Sequence, residues 1–353
     1  YTKNDGIGFK NEINVNTSNL YFANRFIDIM PKYTYTYKRQ TQNRSLYLLN
    51  KLDAWGEQTT HPLGELPSVD EMLQALDNGN SYRQRESDNI HKIAMQIQFG
   101  NNRNGMKPKI GIQGNFHPSV RLERDQMDYQ RGNLDTLFHR HISVFEFRGG
   151  LNIFKLSEHW PWPWQINIDY SISTQAPNMT HLVDYRDDSN PLNIMLGNRH
   201  LRNRHNHHFE ATLQQTLTGQ RMYNVKTLLN AYRNSLALGY DYDEQTGIRT
   251  FRPTTVNGNY DAEIAGGLTM PLDSARHFTL QANSTLKYRK SVDMVNQLKS
   301  KVGTFNTDQM LKVDYTPSSN VNVGLKCDFH FQHSESRRED FDDINIFDFD
   351  YGL

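Results

Sequence analysis

Residues 320–333 read NVNVGLKCDFHFQH. Val321, Val323, Leu325, Cys327, Phe329 and Phe331 alternate with Asn322, Gly324, Lys326, Asp328, His330 and Gln332. Successive side chains of a strand point to opposite faces, so this period of two reads as a strand with one apolar and one polar face. A soluble sheet also alternates, and the stretch by itself does not say whether the apolar face meets a protein core or lipid.

The pattern recurs. In 278–289, Phe278, Leu280, Ala282, Leu286 and Tyr288 oppose Thr279, Gln281, Asn283, Lys287 and Arg289. In 164–173, Trp164, Ile166, Ile168, Tyr170 and Ile172 oppose Gln165, Asn167, Asp169, Ser171 and Ser173. Segments 207–217 and 260–270 do the same, and others lie near 6–16, 26–38, 91–99, 109–117, 136–156, 222–240, 304–315 and 344–353, about thirteen strands in all. One helix is predicted near 69–78, opened by the capping box Ser68…Glu71.

The links sort by length. Turn-rich links fall near 18–25, 101–106, 157–162, 219–222, 272–276 and 316–320; long polar links fall near 41–88, 120–135, 175–205, 242–258, 290–303 and 334–342. Strict alternation of short and long predicts an antiparallel up-and-down meander with short turns at one end and long loops at the other, as in transmembrane β-barrels. The fold class expected is therefore all-β: an up-and-down transmembrane barrel, incomplete, carrying about thirteen strands of a larger one.

Composition agrees. Hydrophobic residues make up 36% of the 353, while aromatics reach 11%, which suits strands that need only half their side chains apolar. No apolar run approaches the ~18–20 residues of a membrane helix. Lys+Arg and Asp+Glu are 39 each, a net charge of zero, with no electrostatic footprint for nucleic acid. The single Cys327 excludes an intrachain disulfide framework and reads as a small hydrophobe in its row.

Two features favour lipid on the apolar face. Phe278 and Tyr288 bracket an apolar row of small and aliphatic residues. Ten residues at ~3.3 Å, tilted ~45°, cover ~23 Å of height, close to the ~25 Å apolar band that aromatic girdles flank. Trp160, Trp162 and Trp164 cluster by a short turn, where a headgroup-level belt belongs. The long links, above all 41–88, are the second feature: such lengths are unusual in a compact domain unless functional.

Residues 175–204, QAPNMTHLVDYRDDSNPLNIMLGNRHLRNR, carry a resemblance. Asn190, Pro191 and Leu192, followed by Gly197, Asn198, Leu201 and Arg202, resemble a segment of TonB-dependent receptor barrels, especially the outer-membrane β-barrel family of Bacteroidota. The sequence departs at Arg199, where that pattern has Pro, and lacks the Glu after the Leu-Lys pair. The ending INIFDFDYGL and the Trp/Pro-rich turn before QINIDYS are similar too. The resemblance implies the bacterial outer membrane and a barrel of about 22 strands closed by an N-terminal plug. It further implies TonB as the partner that acts on the plug and an extracellular solute as cargo. Residues 1–353 are expected to be one barrel-domain fragment truncated at both ends, its plug absent.

Chemistry-bearing motifs are few. His205, His207 and His208, with His139 and His141, lack a carboxylate or Cys placed to complete a metal shell. Asp184, Asp187 and Asp188 do not match a calcium loop. No nucleophile elbow, phosphate loop or HExxH appears. No metal, cofactor or enzymatic activity is therefore expected. Inward rows carry Lys32, Lys38, Glu210, Lys226, Asp261, Glu263, Lys287, Lys312, Asp314, Lys326 and Asp328, readable as ion-pair ladders or as a charged path for a solute. The candidate ligand-binding residues sit on the two longest loops: Trp55, Tyr185, Arg186, Asp187, Asp188 and Arg199. Uptake of a bulky solute (iron chelate, glycan or peptide) is the expected function; the alternatives are a non-transporting surface barrel and a soluble glycan-binding β-protein.

Overall fold

The computed structural model describes residues 2–14, 20–22, 25–48, 51–52, 67–101, 109–155, 163–217, 221–318, 321–336, 338 and 341–353. Its strands are β1 (Thr2–Asn14), β2 (Leu20–Phe22), β3 (Arg25–Arg44), β4 (Tyr82–Gly100), β5 (Ile110–Arg131), β6 (Leu134–Lys155), β7 (Trp164–Gln175), β8 (Arg186–Asp187) and β9 (Asn193–Leu196). They continue as β10 (Arg204–Leu217), β11 (Arg221–Arg233), β12 (Ser235–Tyr242), β13 (Arg249–Val256), β14 (Asn259–Pro271), β15 (Phe278–Val295), β16 (Leu298–Ser318), β17 (Val321–Ser336) and β18 (Ile344–Gly352). The helix α1 spans Val69–Ala75.

One antiparallel meander forms the wall. It runs β1/β2–β3–β4–β5–β6–β7–β10–β11–β14–β15–β16–β17–β18, with β1 and β2 both paired to β3. That gives thirteen places, the number expected. Among the described residues no pairing joins β18 to β1 or β2, so the wall is an open arc. The remaining four short strands sit at one end: β12–β13 is an antiparallel hairpin, β13 runs parallel to β9, and β8 pairs with β9.

The register keeps the two faces separate across the wall. One row reads Tyr33, Ile93, Val120 and Phe145 across β3–β6. Ile93 and Phe145 are 58% and 57% exposed. The neighbouring row on the other face reads Lys32, Ala94, Ser119 and Glu146. Asp28, Gln84, Ser119, Glu123, Asp125 and Arg131 are buried polar residues, and all lie on this second face. Large apolar side chains are thus exposed and polar ones buried. A soluble protein does not tolerate so wide an exposed apolar patch, and this inversion is the signature of a transmembrane barrel wall. On β5 the apolar row runs from Ile110 to Leu122, ~40 Å along the strand and ~28 Å of height at ~45° tilt. Aromatics flank it as expected: Phe278 stacks on Tyr315 at 4.5 Å near one border, and Tyr260 meets Tyr288 at 5.8 Å near the other. Trp164 opens β7, while Trp160 and Trp162 lie outside the described residues.

The sorting of links needs a correction. Links at 120–135 and 290–303 are not loops: β5 and β6 continue to a two-residue turn at 132–133, and β15 and β16 to one at 296–297. Asn296 and Gln297 both take positive φ, 47° and 62°, the conformation that matches hairpin twist. Most of 242–258 is likewise strand, in β12 and β13. These extensions rise beyond the apolar band, where no lipid enforces an apolar row. The alternation fades there although backbone pairing continues. The helix forms with its capping box, Glu71 N–H donating to Ser68 Oγ at 3.4 Å and Ser68 N–H to Glu71 Oε2 at 2.8 Å. It ends at Ala75, three residues early, because Leu76 bridges to Tyr47 in extended form.

Because Met95 lies exposed near the middle of the apolar band, Met95→Lys is expected to destabilise the folded wall by ~2–4 kcal/mol in lipid vesicles. Gln96→Lys, one residue away on the polar face, is expected to cost under ~1 kcal/mol. Urea unfolding from vesicles compares the two, and equal costs would contradict the assignment of faces.

Candidate functional site

The long-link end of the polar face carries a cap. Its main strap is 176–203, between β7 and β10. Met179 and Val183 of the strap pack on Met127 and Tyr129 of β5, with Tyr82, Leu134, Phe138 and Tyr185 around them. Burying each such side chain contributes ~1.5–3 kcal/mol. Met127 and Tyr129 stand on the same face as Glu123 and Asp125, so the strap folds over the polar face and not away from it.

Arg131, at the tip of β5, is the hub. Its Nε donates to Gly79 O at 2.9 Å, it also bonds Asn80, and its guanidinium lies 3.0 Å from Asp187 Oδ1 and 5.1 Å from the Tyr185 ring centre. One side chain therefore ties the β5–β6 tip, the turn after α1 and the strap. Arg44 approaches Asp187 from β3 at 3.8 Å. Burial acts to raise the Asp187 carboxyl, but the hydrogen bonds from Arg131 and Ser189 outweigh it and hold the group below the ordinary 3.8.

The motif that carried the resemblance has a structural reason. Asn190 Oδ1 accepts from Leu192 N–H at 3.1 Å, and Leu192 O accepts from Arg249 N–H at 2.9 Å, starting the β9–β13 pairing. Gly197 abuts Val183 so closely that a Cβ would sit 1.5 Å from the Val183 carbonyl oxygen. Asn198 Nδ2 donates to Pro253 O at 2.9 Å, and Arg202 N–H to Thr255 Oγ1 at 3.3 Å. These residues staple the strap to the β12–β13 hairpin. The hairpin itself turns off the wall at Asn234 (φ 56°) and Gly258 (φ 109°), a pair of left-handed positions facing each other between β11–β14 and β12–β13.

Beneath the cap lies a charged field on β3–β6. Arg140 donates to Asp125 at 2.5 Å and to Pro177 O at 2.6 Å. Arg121 binds Glu123 at 2.5 Å, approaches Glu146 at 3.2 Å and donates to Thr174 O at 2.7 Å. Lys92 of β4 reaches Glu146 of β6 at 2.9 Å, skipping a strand. Asp88 faces Asp125 and Lys38 across its two neighbouring strands. Further along the wall, Glu210–Lys226 (3.2 Å), Asp261–Arg289 (2.8 Å), Lys312–Asp314 (2.8 Å) and Lys326–Asp328 (2.7 Å) continue the pairing. The inward row read from the sequence is thus ion-paired, partly across strands and partly between residues two apart on one strand. Such a face is hydrated, fixed and charged in both signs, suited to holding or passing a polar solute.

The sequence-predicted residues divide. Tyr185 and Asp187 are cap anchors, turned into the Met127–Tyr129 core and onto Arg131. Arg186 and Asp188 are exposed and 3.7 Å apart; Asn80 donates to Asp188 at 3.3 Å. Arg199 is exposed at the far side of the strap. Trp55 lies outside the described residues. Arg121, Glu123, Asp125 and Arg131 were not singled out, because 120–135 reads as a polar link; their spacing in RLERDQMDYQR is the signal that could have found them, whereas Arg140 falls within the predicted strand 136–156. His207 and His208 diverge as expected, His207 toward Tyr170 on the apolar face and His208 toward Asn230 on the polar one. Among the described residues no three His, Cys, Asp or Glu side chains converge as metal ligands.

No protein-family model and no curated protein matches this chain. Solved structures do. The siderophore receptor PirA from Pseudomonas aeruginosa aligns at 8% identity and a TM-score of 0.35, over 98% of this chain and 71% of that one. A ferric enterobactin receptor PfeA from Pseudomonas aeruginosa aligns at 9% and 0.34, over 88% and 55%. PirA from Acinetobacter baumannii aligns at 10% and 0.31, over 88% and 58%. The chain therefore spans little more than half the length of two of these three. Likeness at this level carries no weight beside the geometry.

Removing one partner of a buried pair leaves the other charge uncompensated, so Asp187→Asn is expected to loosen the cap by ~3 kcal/mol. Hydrogen exchange across 176–203 should rise while the wall stays protected. Because the folded Asp187 value is depressed, its contribution is complete above the ordinary value of 3.8 and fades as pH falls through the folded one. Strap exchange in the native protein should thus increase on acidification below pH ~4, and that increase should vanish in Asp187→Asn.

Proposed function

We propose that this chain is part of the wall of an outer-membrane receptor barrel in a Gram-negative bacterium, of the Bacteroidota type, that takes up a bulky polar solute. A separate plug fills the barrel and TonB supplies the force through it. The chain's own task needs no bond-making: the cap and its loops capture the solute, the paired charges of the inner wall hold a hydrated path, and the plug moves. Iron chelates, glycans and peptides all suit a wall of this kind.

The observation that carries the reading is the inversion of the wall combined with the cap's position. Exposed apolar rows call for lipid outside, and a strap folded onto the polar face at the long-link end alone calls for a mouth on that side. A soluble glycan-binding sheet would need its apolar rows covered, and they stand open. A second reading, a surface-binding barrel without transport, draws on the Arg131–Asp187 anchor, which makes the cap a fixed platform.

Fractionation tests the membrane placement: the protein should stay in the outer-membrane pellet through carbonate washing, and release into the wash would end the proposal. Transport is tested in cells. Deleting the gene and deleting TonB should abolish uptake of the same solute to the same extent. Surface binding that persists without TonB, with no uptake in the parent strain, would favour the second reading.

A further inference from the structure

Charges on the two faces of β3–β6 behave differently. On the inner face Lys92, Arg121, Arg131 and Arg140 are all paired. On the outer face the side chains of Arg39, Arg85 and Arg124 make no hydrogen bond or ion pair with another described residue, and neither do those of His139 and His141.

The register shows where these side chains stand. The last row dominated by apolar and aromatic groups is Tyr35, His91, Leu122 and Ser143. The next row outward is Tyr37, Asn89, Arg124 and His141; then come Arg39, Ser87, Gln126 and His139; then Thr41, Arg85, Asp128 and Leu137. Each row adds two residues, ~6.6 Å along the strand and ~4.7 Å of height at the usual tilt. Arg124 and His141 therefore sit ~5 Å beyond the apolar border, the depth of lipid headgroups, while Arg39 and His139 at ~10 Å and Arg85 at ~14 Å stand above that layer. Asp128 is the one acidic residue in these four rows.

We infer that this outward strip binds the phosphate groups of a lipid headgroup in the outer leaflet. Arg124 and His141 are direct cross-strand neighbours, ~5 Å apart at Cβ, so both reach one phosphate. Arg39 and Arg85 are diagonal neighbours higher up and add positive charge above that site. Guanidinium is the side chain best matched to phosphate oxygens, through paired N–H donors. Tyr35 and Tyr37 flank the strip on β3, at the border where amphipathic rings settle. The inference rests on the apolar face meeting lipid, as proposed above.

The test uses the protein folded in neutral dodecyl maltoside micelles, with native mass spectrometry counting bound lipid. The probe is diphosphoryl lipid A; the comparators are its dephosphorylated form and inorganic phosphate. The wild type should retain the phosphorylated probe, lose it as NaCl rises, and ignore the dephosphorylated form. The combined variant Arg124→Gln, His141→Gln should bind it about tenfold more weakly or worse, since it removes the guanidinium and imidazole donors that face one phosphate. Lys290→Gln, on the outer face of β15, should bind as the wild type does. Equal binding of both lipid forms, or a combined variant that binds unchanged, would overturn the inference. So would inorganic phosphate held as tightly as the lipid, which would make the strip a free-anion site. The salt titration needs no variant, so it still decides the matter if the combined variant misfolds. A protein that shows no heat-modifiable folded band in micelles or vesicles fails the membrane reading instead, and the two failures are distinct.

Discussion

The structure depends on the pairing of every wall strand with its neighbours. Hydrocarbon offers no partner to a backbone N–H or C=O, so each group at membrane depth must be satisfied by the adjacent strand. From β3 to β17 each wall strand is paired on both sides, and the register holds its parity from one strand to the next. Parity is what matters. A slip of one residue in any strand would turn its apolar row inward and its charges to lipid. The wall is therefore specified less by any single contact than by the cost of that exchange, repeated at every strand.

Once the faces are fixed, the charge pattern follows. The buried acids and bases of the inner rows are paired, since an unpaired buried charge is expensive. Arg121, Glu123, Asp125 and Arg140 accordingly form one network, with carbonyl oxygens of Thr174 and Pro177 as extra acceptors. Those two carbonyls belong to the end of β7 and the start of the strap. The network thus also sets where the chain leaves the wall to form the cap, and the chemistry of the inner face and the geometry of the mouth are coupled.

Much of this was legible in the sequence. Period-two alternation placed the strands, their number and both faces, because lipid on one side and water on the other impose the strongest contrast a strand can carry. Every charged residue assigned inward lies on the inner face. Legibility ended where the contrast ended. Beyond the band, at 123–131 and 290–302, apolar residues such as Met127, Tyr129 and Val292 are too scattered to alternate, and paired strand looks like loop. The hairpin turns at 132–133 and 296–297 carry only weak local signals. The strap was recognised by its Asn-Pro-Leu…Gly-Asn pattern, but the pattern said nothing of Arg131, a residue far away in sequence that anchors it. Tyr185 and Asp187, read as candidate binding residues because a long loop carries them, turn inward because their partners lie on β5. Contacts of that range are not written in any local window.

The two ends of the wall are built on different principles, and the difference bears on how the mouth can work. At the short-link end the described turn at 272–277 is closed by Asp273, whose carboxylate accepts from the N–H groups of His277 and Phe278. At the other, the hairpins β5–β6 and β15–β16 carry the sheet outward: Arg131 ties the strap to β5, Asn198 and Arg202 tie the strap to the β12–β13 hairpin, and Asn296 N–H donates to Tyr240 O to tie that hairpin to the β15–β16 turn. A loop of thirty residues left free would lose conformational entropy each time it closed on a ligand, at ~1 kcal/mol or more per residue ordered. A strap already held by a small apolar core and a buried ion pair has met that cost on folding, so ligand contacts add to affinity instead of offsetting disorder. Exposed Arg186, Asp188 and Arg199 then stand on a fixed base, placed by where the staples hold the strap.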